Sequence, residues 1–179
     1  MNSRLTVENL SFFYGNRPIL KNVSLAVAPG ELVSILGHNG SGKTTLLRCI
    51  SGYLKPKEGA VRIGEDAVSS LSSKALARRM ALVPQSPVME FDFTVRDIVL
   101  MGRNPHLKRF SGETETDYAA ADAALVRTGM DALADRSVLT LSGGEWQRTI
   151  IARAICQKSE LMLLDEPVAS LDIKHQIEI

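Results

Sequence analysis

Little in this chain would staple it from outside or carry it into a bilayer. Only two cysteines occur in 179 residues, Cys49 and Cys156, far apart and each in a helical, apolar context. That excludes a disulfide scaffold and makes both reduced core residues. Three histidines, His38, His106 and His175, stand singly without ligand spacing, which argues against a structural metal site. Uninterrupted apolar runs reach about four residues, against the roughly twenty that a spanning helix needs. The opening stretch MNSRLTVENL has no signal-peptide apolar core. The protein is therefore expected in the cytoplasm, reaching any membrane through a partner. A formal net charge of +1 supplies no global field to recruit nucleic acid or anionic lipid. What remains, with 45% hydrophobic and 23% charged residues, is enough to build one ordinary globular core.

Several short strands open the sequence. RLTVENLSFFY and PILKNVSLAVA alternate or cluster apolar residues between the turn signals Gly15-Asn16 and Pro29-Gly30, a pattern suited to antiparallel pairing. ELVSIL is nearly continuously apolar, as expected of a strand covered on both faces. Lys43 to Ser51 reads as a helix stopped by Gly52. A further strand pair is expected around GAVRIG and MALVPQ, separated by the short helix SSKALARRM. From Ser86 to about Leu139 the character turns helical. Thr94-Val-Arg-Asp97 makes a capping-box start, and TETDYAAADAALVRTG is an alanine-rich helix closed by Gly129. Another helix, EWQRTIIARAICQ, precedes the apolar strand LMLLD.

Between ELVSIL and the first helix lies GHNGSGKTTLL. Gly37-x-x-x-x-Gly42-Lys43-Thr44 matches the phosphate-binding P-loop. Glycines let consecutive backbone N–H groups point inward, and the helix that follows aims its positive end at the phosphates. Lys43 can reach the β- and γ-phosphates, and the Thr44 hydroxyl can ligate Mg²⁺. The cradle as a whole takes in Gly37, His38, Asn39, Gly40, Ser41, Gly42, Lys43, Thr44 and Thr45. A second element, LMLLDEP, ends an apolar strand in two acids. Asp165 would hold Mg²⁺, and Glu166 would orient and polarise the attacking water.

These two elements do not choose among P-loop proteins; LSGGEWQR, Leu141 to Arg148, does. A serine and two glycines open a helix, giving a second anion-binding helix terminus in the same chain. The P-loop lies about a hundred residues upstream and the acid pair about twenty downstream. With these three motifs in that order the sequence resembles an ATP-binding-cassette (ABC) ATPase subunit of a transporter. The resemblance implies an α/β fold: a P-loop NTPase (RecA-like) core with an N-terminal antiparallel β subdomain and a helical insertion subdomain. One nucleotide-binding domain would occupy 1–179, with 1–85 and 140–179 as β subdomain plus core and 86–139 as the helical part. It also implies that Ser142, Gly143 and Gly144 close over the γ-phosphate of ATP bound by a second copy in a head-to-tail homodimer. By the same resemblance Tyr14 stacks on adenine, with Phe12 or Phe13 left to the core. Gln85 senses Mg²⁺ and the attacking water, and Asp172 belongs to the loop linking the two sites.

Within that family MGRNPHLKRF (Met101 to Phe110) and LDIKHQIEI (Leu171 to Ile179) look like importers of iron–siderophore, haem or cobalamin. The resemblance then implies membrane permease subunits at the cytoplasmic face, with a periplasmic or lipoprotein solute-binding protein acting indirectly. Arg103, Lys108 and Arg109 read either as a solvated basic face or as part of a permease-docking surface. Val88, Met89, Phe91 and Phe93 read either as core or as a docking groove. His38 and Val168 depart from the family's common proline and threonine, at positions where the loop acts through its backbone. The chain reaches only thirteen residues beyond Glu166, so it is expected to be C-terminally incomplete and to lack the family's switch histidine; His175 is not that residue. Two alternatives stay open: a nucleotide-binding fragment with little turnover, and a soluble non-transport member. Chromosome-maintenance relatives would carry long heptad insertions, which this chain does not have, so no nucleic-acid partner is expected.

Overall fold

A computed structural model describes residues 4–85, 91–108 and 111–167. The chain divides into two compact units, Met1–Met80 and Ala81–Ile179.

In the first unit, β1 (Leu5–Tyr14) and β2 (Arg17–Val27) form the expected antiparallel pair, extended by β3 (Glu58–Ile63) and β4 (Asp66–Ala67) in the order β2-β1-β3-β4. Strict alternation would bury every second residue of β1, yet Leu10, Ser11 and Phe12 are buried in succession. The register slips between Val7 and Phe12, where Asn9 and Asn22 take the left-handed backbone that asparagine tolerates. Ser24 Oγ donates to Asn9 Oδ1 and accepts from Asn9 N–H, fixing the slip. After the P-loop, α1 (Lys43–Ile50) buries Leu46, Cys49 and Ile50 on one face and ends before Gly52. Then α2 (Ser73–Arg79) starts on Ser72, whose hydroxyl accepts from Ala75 N–H.

Two expectations for this unit need correction. ELVSIL forms no ladder, and Leu32 and Leu36 are 88% and 91% exposed. A strand covered on both faces needs hydrogen-bonded neighbours, and among the described residues none pairs with it. GAVRIG and MALVPQ do form β3 and β5 (Met80–Val83), but they join different sheets. β3 adds to β1, while β5 pairs with β6 (Leu161–Leu164). Strand propensity had no means of naming the partner.

In the second unit, α3 (Val95–Leu100), α4 (Glu115–Arg127) and α5 (Gly143–Cys156) enclose one apolar core with Val83, Ile98, Leu125, Met130 and Ile150 at its centre. Thr94 and Asp97 make the anticipated capping box: the hydroxyl accepts from Asp97 N–H and the carboxylate from Thr94 N–H. Thr114 with Asp117, and Ser142 with Glu145, repeat the device on α4 and α5. Alanines 120, 121 and 124 form the buried face of α4, small enough to let neighbouring backbones approach. Cys156 is buried in this core and its thiol is pushed up to about 11 by desolvation; burial likewise raises Cys49. Both are held as thiols, as expected of reduced core residues.

Of the basic residues after α3, Arg103 turns inward while Lys108 is exposed. Arg103 Nε donates to Asp117 Oδ1 and its Nη1 to the Cys156 carbonyl, both at 2.9 Å. The two side chains are 12% and 7% exposed, so Arg103 belongs neither to a solvated basic face nor to an exposed docking surface. A guanidinium that finds a carboxylate and a carbonyl acceptor inside gives up its hydration at lower cost. Of the companion residues, Arg109, Val88 and Met89 lie outside the described set. Phe91 and Phe93 meet edge to face at 6.4 Å with 67% and 36% exposure, so Phe91 is not core.

Asp117 gives a pH test. Arg103's hydrogen bond first, then those of the Thr114 hydroxyl and backbone N–H, hold its carboxyl down from 3.8 to about 2. A depressed acid stabilises the fold above its unfolded value and ceases to do so as pH falls through the folded one. The contribution is therefore complete above about pH 4 and lost on descending to about 2. Urea midpoints should fall across that window in the parent protein, and Asp117→Asn should flatten the fall.

Candidate functional site

The P-loop takes its form from its glycines. Gly40 and Gly42 sit at φ +81° and +98°, and a Cβ on Gly42 would lie 3.0 Å from Leu20 Cδ2 and close to Ile19. Only glycine meets both demands without strain. The Ser41 N–H bonds the His38 carbonyl at 3.1 Å, closing the turn. Lys43 Nζ folds back onto the Gly37 and His38 carbonyls at 2.9 and 3.2 Å. His38 enters through its backbone here, while its ring Nδ1 lies 2.9 Å from the Asn39 carbonyl. α1 starts at Lys43 with no side-chain cap and no acid in its first turn. That leaves a positive helix end suited to an anion, beside an ammonium already at the loop.

In the second unit three of the expected residues come together. β5 and β6 end side by side, with Asp165 N–H donating to the Val83 carbonyl at 3.0 Å. Gln85, two residues beyond β5, donates from Nε2 to Glu166 Oε2 at 2.6 Å. Asp165 is 9% exposed, and Glu166 adopts a left-handed φ of +47°. A charged non-glycine residue in that conformation costs of order 1 kcal/mol and is held by its surroundings. β6 itself is buried only at Leu163, with Met162 and Leu164 37% and 38% exposed, so LMLLD is covered on one face and not two. Within this unit the oxygen donors of Gln85 and Asp165 are of the kind a hard cation such as Mg²⁺ takes.

The signature stretch opens α5 with its end clear. Ser142 is the N-cap: its hydroxyl accepts from Glu145 N–H, and its own N–H donates to Glu145 Oε2 at 2.7 Å. Hydrogen bonds to the carboxylate, from the Ser142 backbone N–H first and then from its hydroxyl, hold the Glu145 carboxyl below its usual range. Among the described residues, apart from its chain neighbours and the helix's own backbone, no heavy atom lies within 4 Å of where a Gly143 side chain would begin. Arg136 was not singled out from the sequence, yet it braces this turn. Its Nε and Nη2 donate to the Thr140 hydroxyl and carbonyl at 2.9 and 2.8 Å, and it lies 3.6 Å from Glu145. One arginine six residues before a serine carries no pattern by which sequence could flag it.

Tyr14 is 50% exposed and meets the buried Phe12 edge to face at 5.0 Å, while Phe13 lies under Lys57 Nζ. The core residue of that trio is thus Phe12. Asp172 and His175 lie outside the described residues.

A glycine-shaped phosphate loop opening a helix, in an α/β chain whose strands β5 and β6 lead into Gln85 and Asp165, defines a P-loop NTPase fold. The family model for ABC transporters matches residues 20–169, and the chain belongs to that family. It is 47% identical over 173 residues to the cobalamin import ATP-binding protein BtuD of Halobacterium salinarum, covering 97% of this chain and 43% of the relative. It is 39% identical to the iron(3+)-hydroxamate import ATP-binding protein FhuC of Bacillus subtilis, covering 100% of this chain and 66% of the relative. Among solved structures, an inward-facing metal-chelate-type ABC transporter superposes with a TM-score of 0.86 at 35% identity, covering 99% of this chain and 65% of that one. The chain thus spans less than two thirds of the length of these relatives.

Proposed function

We propose that the protein binds and hydrolyses ATP as the motor subunit of an importer, driving uptake of an iron–siderophore complex, haem or cobalamin through a membrane permease. The observation that carries the reading is one chain holding two anion-ready helix ends. One is α1 behind the P-loop, and the other is the capped, unobstructed start of α5 at Ser142. A single triphosphate needs one of each, and a second copy arranged head to tail supplies the other. The printed roles of the relatives, cobalamin and iron-hydroxamate import, support the solute class.

In this reading the loop N–H groups and Lys43 hold the β- and γ-phosphates, and Tyr14 stacks on the adenine. Thr44, Asp165 and Gln85 would hold Mg²⁺, which when bound neutralises charge on the phosphates. Glu166 takes the proton of the attacking water, whose oxygen forms the new bond to the γ-phosphorus as the bond to the bridging oxygen breaks. Ser142, Gly143 and Gly144 of the second copy meet the γ-phosphate, and Asp172 links the two sites. Catalysis of this kind is positioning and electrostatics, completed when dimer closure excludes water. The subunit works at the cytoplasmic face of the membrane, held by the permease, with a solute-binding protein delivering cargo from outside.

The hydrogen bond from Gln85 to Glu166 suits a resting state, since it occupies the carboxylate that would otherwise hold water. The test is phosphate release by the protein assembled with its permease. Hydrolysis should depend on the permease and be lost on Lys43→Ala together with most ATP affinity. Tight ATP binding with background phosphate release in the parent protein would leave a nucleotide-binding module without turnover.

A further inference from the structure

We propose that residues 93–106 form a splint along α5, and that Gly102, Arg103 and His106 are positioning residues setting where the signature end of that helix lies. The proposal rests on the reading of Ser142 above.

One end of the splint meets the chain just before α5. The Val138 N–H donates to the Phe93 carbonyl at 2.9 Å, and the Val95 and Arg96 N–H groups donate to the Arg136 and Ala134 carbonyls at 3.0 and 2.8 Å. The other end grips the helix where it finishes. Arg103 donates to the Cys156 carbonyl at 2.9 Å, and His106 Nε2 lies 2.8 Å from the Gln157 carbonyl, which fixes that nitrogen as the donor. Helix ends are commonly closed by a glycine in the left-handed conformation. Here Lys158 stands there at φ +52°, and the last carbonyls are taken by side chains more than fifty positions away in sequence. Between the two grips Gly102 lies against the helix backbone: a Cβ there would sit 2.3 Å from the Arg153 carbonyl oxygen and 3.2 Å from Gln157 N. The segment thus holds α5 at its C-terminal end and along its backbone, and holds the chain leading into α5 at the other end.

Such placement matters because a helix moves as a rod. From Cys156 back to Ser142 is about 21 Å at 1.5 Å per residue, and a shift forced at the far end appears at Ser142 nearly undiminished. The exposed Phe93 starts the segment and the exposed Phe91 lies two residues before it, so a partner seated on those rings would push on the splint's first residue.

Trp146, the single tryptophan of the chain, reports on this directly. It lies in the first turns of α5, partly buried against the core, about 15 Å along the axis from the clasp at 1.5 Å per residue. Gly102→Ala displaces the helix, while His106→Ala deletes one bond without opening a large void. Both should move the Trp146 emission maximum by several nanometres, and both should lower kcat for ATP about tenfold or more with nucleotide affinity unchanged within twofold. Arg103→Lys, which cannot hold both acceptors, should fall between parent and Gly102→Ala. If Gly102→Ala does not fold, His106→Ala decides alone. Folded variants with lowered melting temperature but parental Trp146 emission would overturn the proposal, since a merely local clasp predicts that result. If the parent protein assembled with its permease hydrolyses nothing, the functional reading fails while the emission arm still judges the splint.

Discussion

Glu166→Gln should cut ATP hydrolysis by about 10²- to 10⁴-fold, the usual contribution of a positioned general base, with ATP affinity held within about threefold. The substitution is close to isosteric. Its side-chain oxygen can still accept the Gln85 Nε2 hydrogen bond that Glu166 accepts at 2.6 Å, so the segments that follow β5 and β6 should stay joined. What disappears is the negative charge that makes the carboxylate a proton acceptor. In the proposed reading ATP is held by the P-loop, which lies in the other compact unit, so affinity should not respond. Single-turnover phosphate release beside equilibrium nucleotide titration separates the two quantities. Unchanged release would remove Glu166 from the chemistry and leave its left-handed backbone without a functional account.

The second large effect is on stability. Arg103→Met should cost about 3 kcal/mol in urea denaturation, at the low end of what removing one partner of a buried ion pair costs. Two interactions go at once: the bond to Asp117, only 7% exposed, and the one to the Cys156 carbonyl. The loss stays at the low end because Thr114 continues to donate to Asp117 through its hydroxyl and N–H. Pairing the change with Asp117→Asn should recover part of the loss, because the stranded charge is then gone. Equal losses in the single and double variants would show that the carboxylate contributes nothing through its charge.

How far the sequence alone reached depended on whether the interaction was local. Each capping box is written within four residues, so Thr94 with Asp97 could be read and was found; Ser142 was read only as opening a helix, and its box with Glu145 emerged from the structure. The helix from Lys43 and its stop at Gly52 follow from propensity and glycine geometry alone. The hairpin of β1 and β2 was equally legible, because turn residues separate two strand-like runs. Non-local choices were not. That β3 adds to β1 while β5 pairs with β6 depends on hydrogen bonds between distant stretches, which no residue pattern names. Arg103 was misread for the same reason: its carboxylate partner lies fourteen residues on and its carbonyl partner fifty-three. A basic run looks solvated until its acceptors are known. For the candidate site, spacing identified the P-loop, the acids and the signature serine. It did not reveal that Gln85 and Glu166 bond to each other, or that Arg136 braces the turn before Ser142.

Whether one triphosphate is shared by two chains can be measured on the Glu166→Gln protein, where hydrolysis no longer erases the complex. With ATP and Mg²⁺, sedimentation should find particles of two chains. Adding Ser142→Arg should return them to single chains while each still binds nucleotide. Single chains that bind ATP equally well with or without that change would contradict the account, because Ser142 would then have no part at the phosphate.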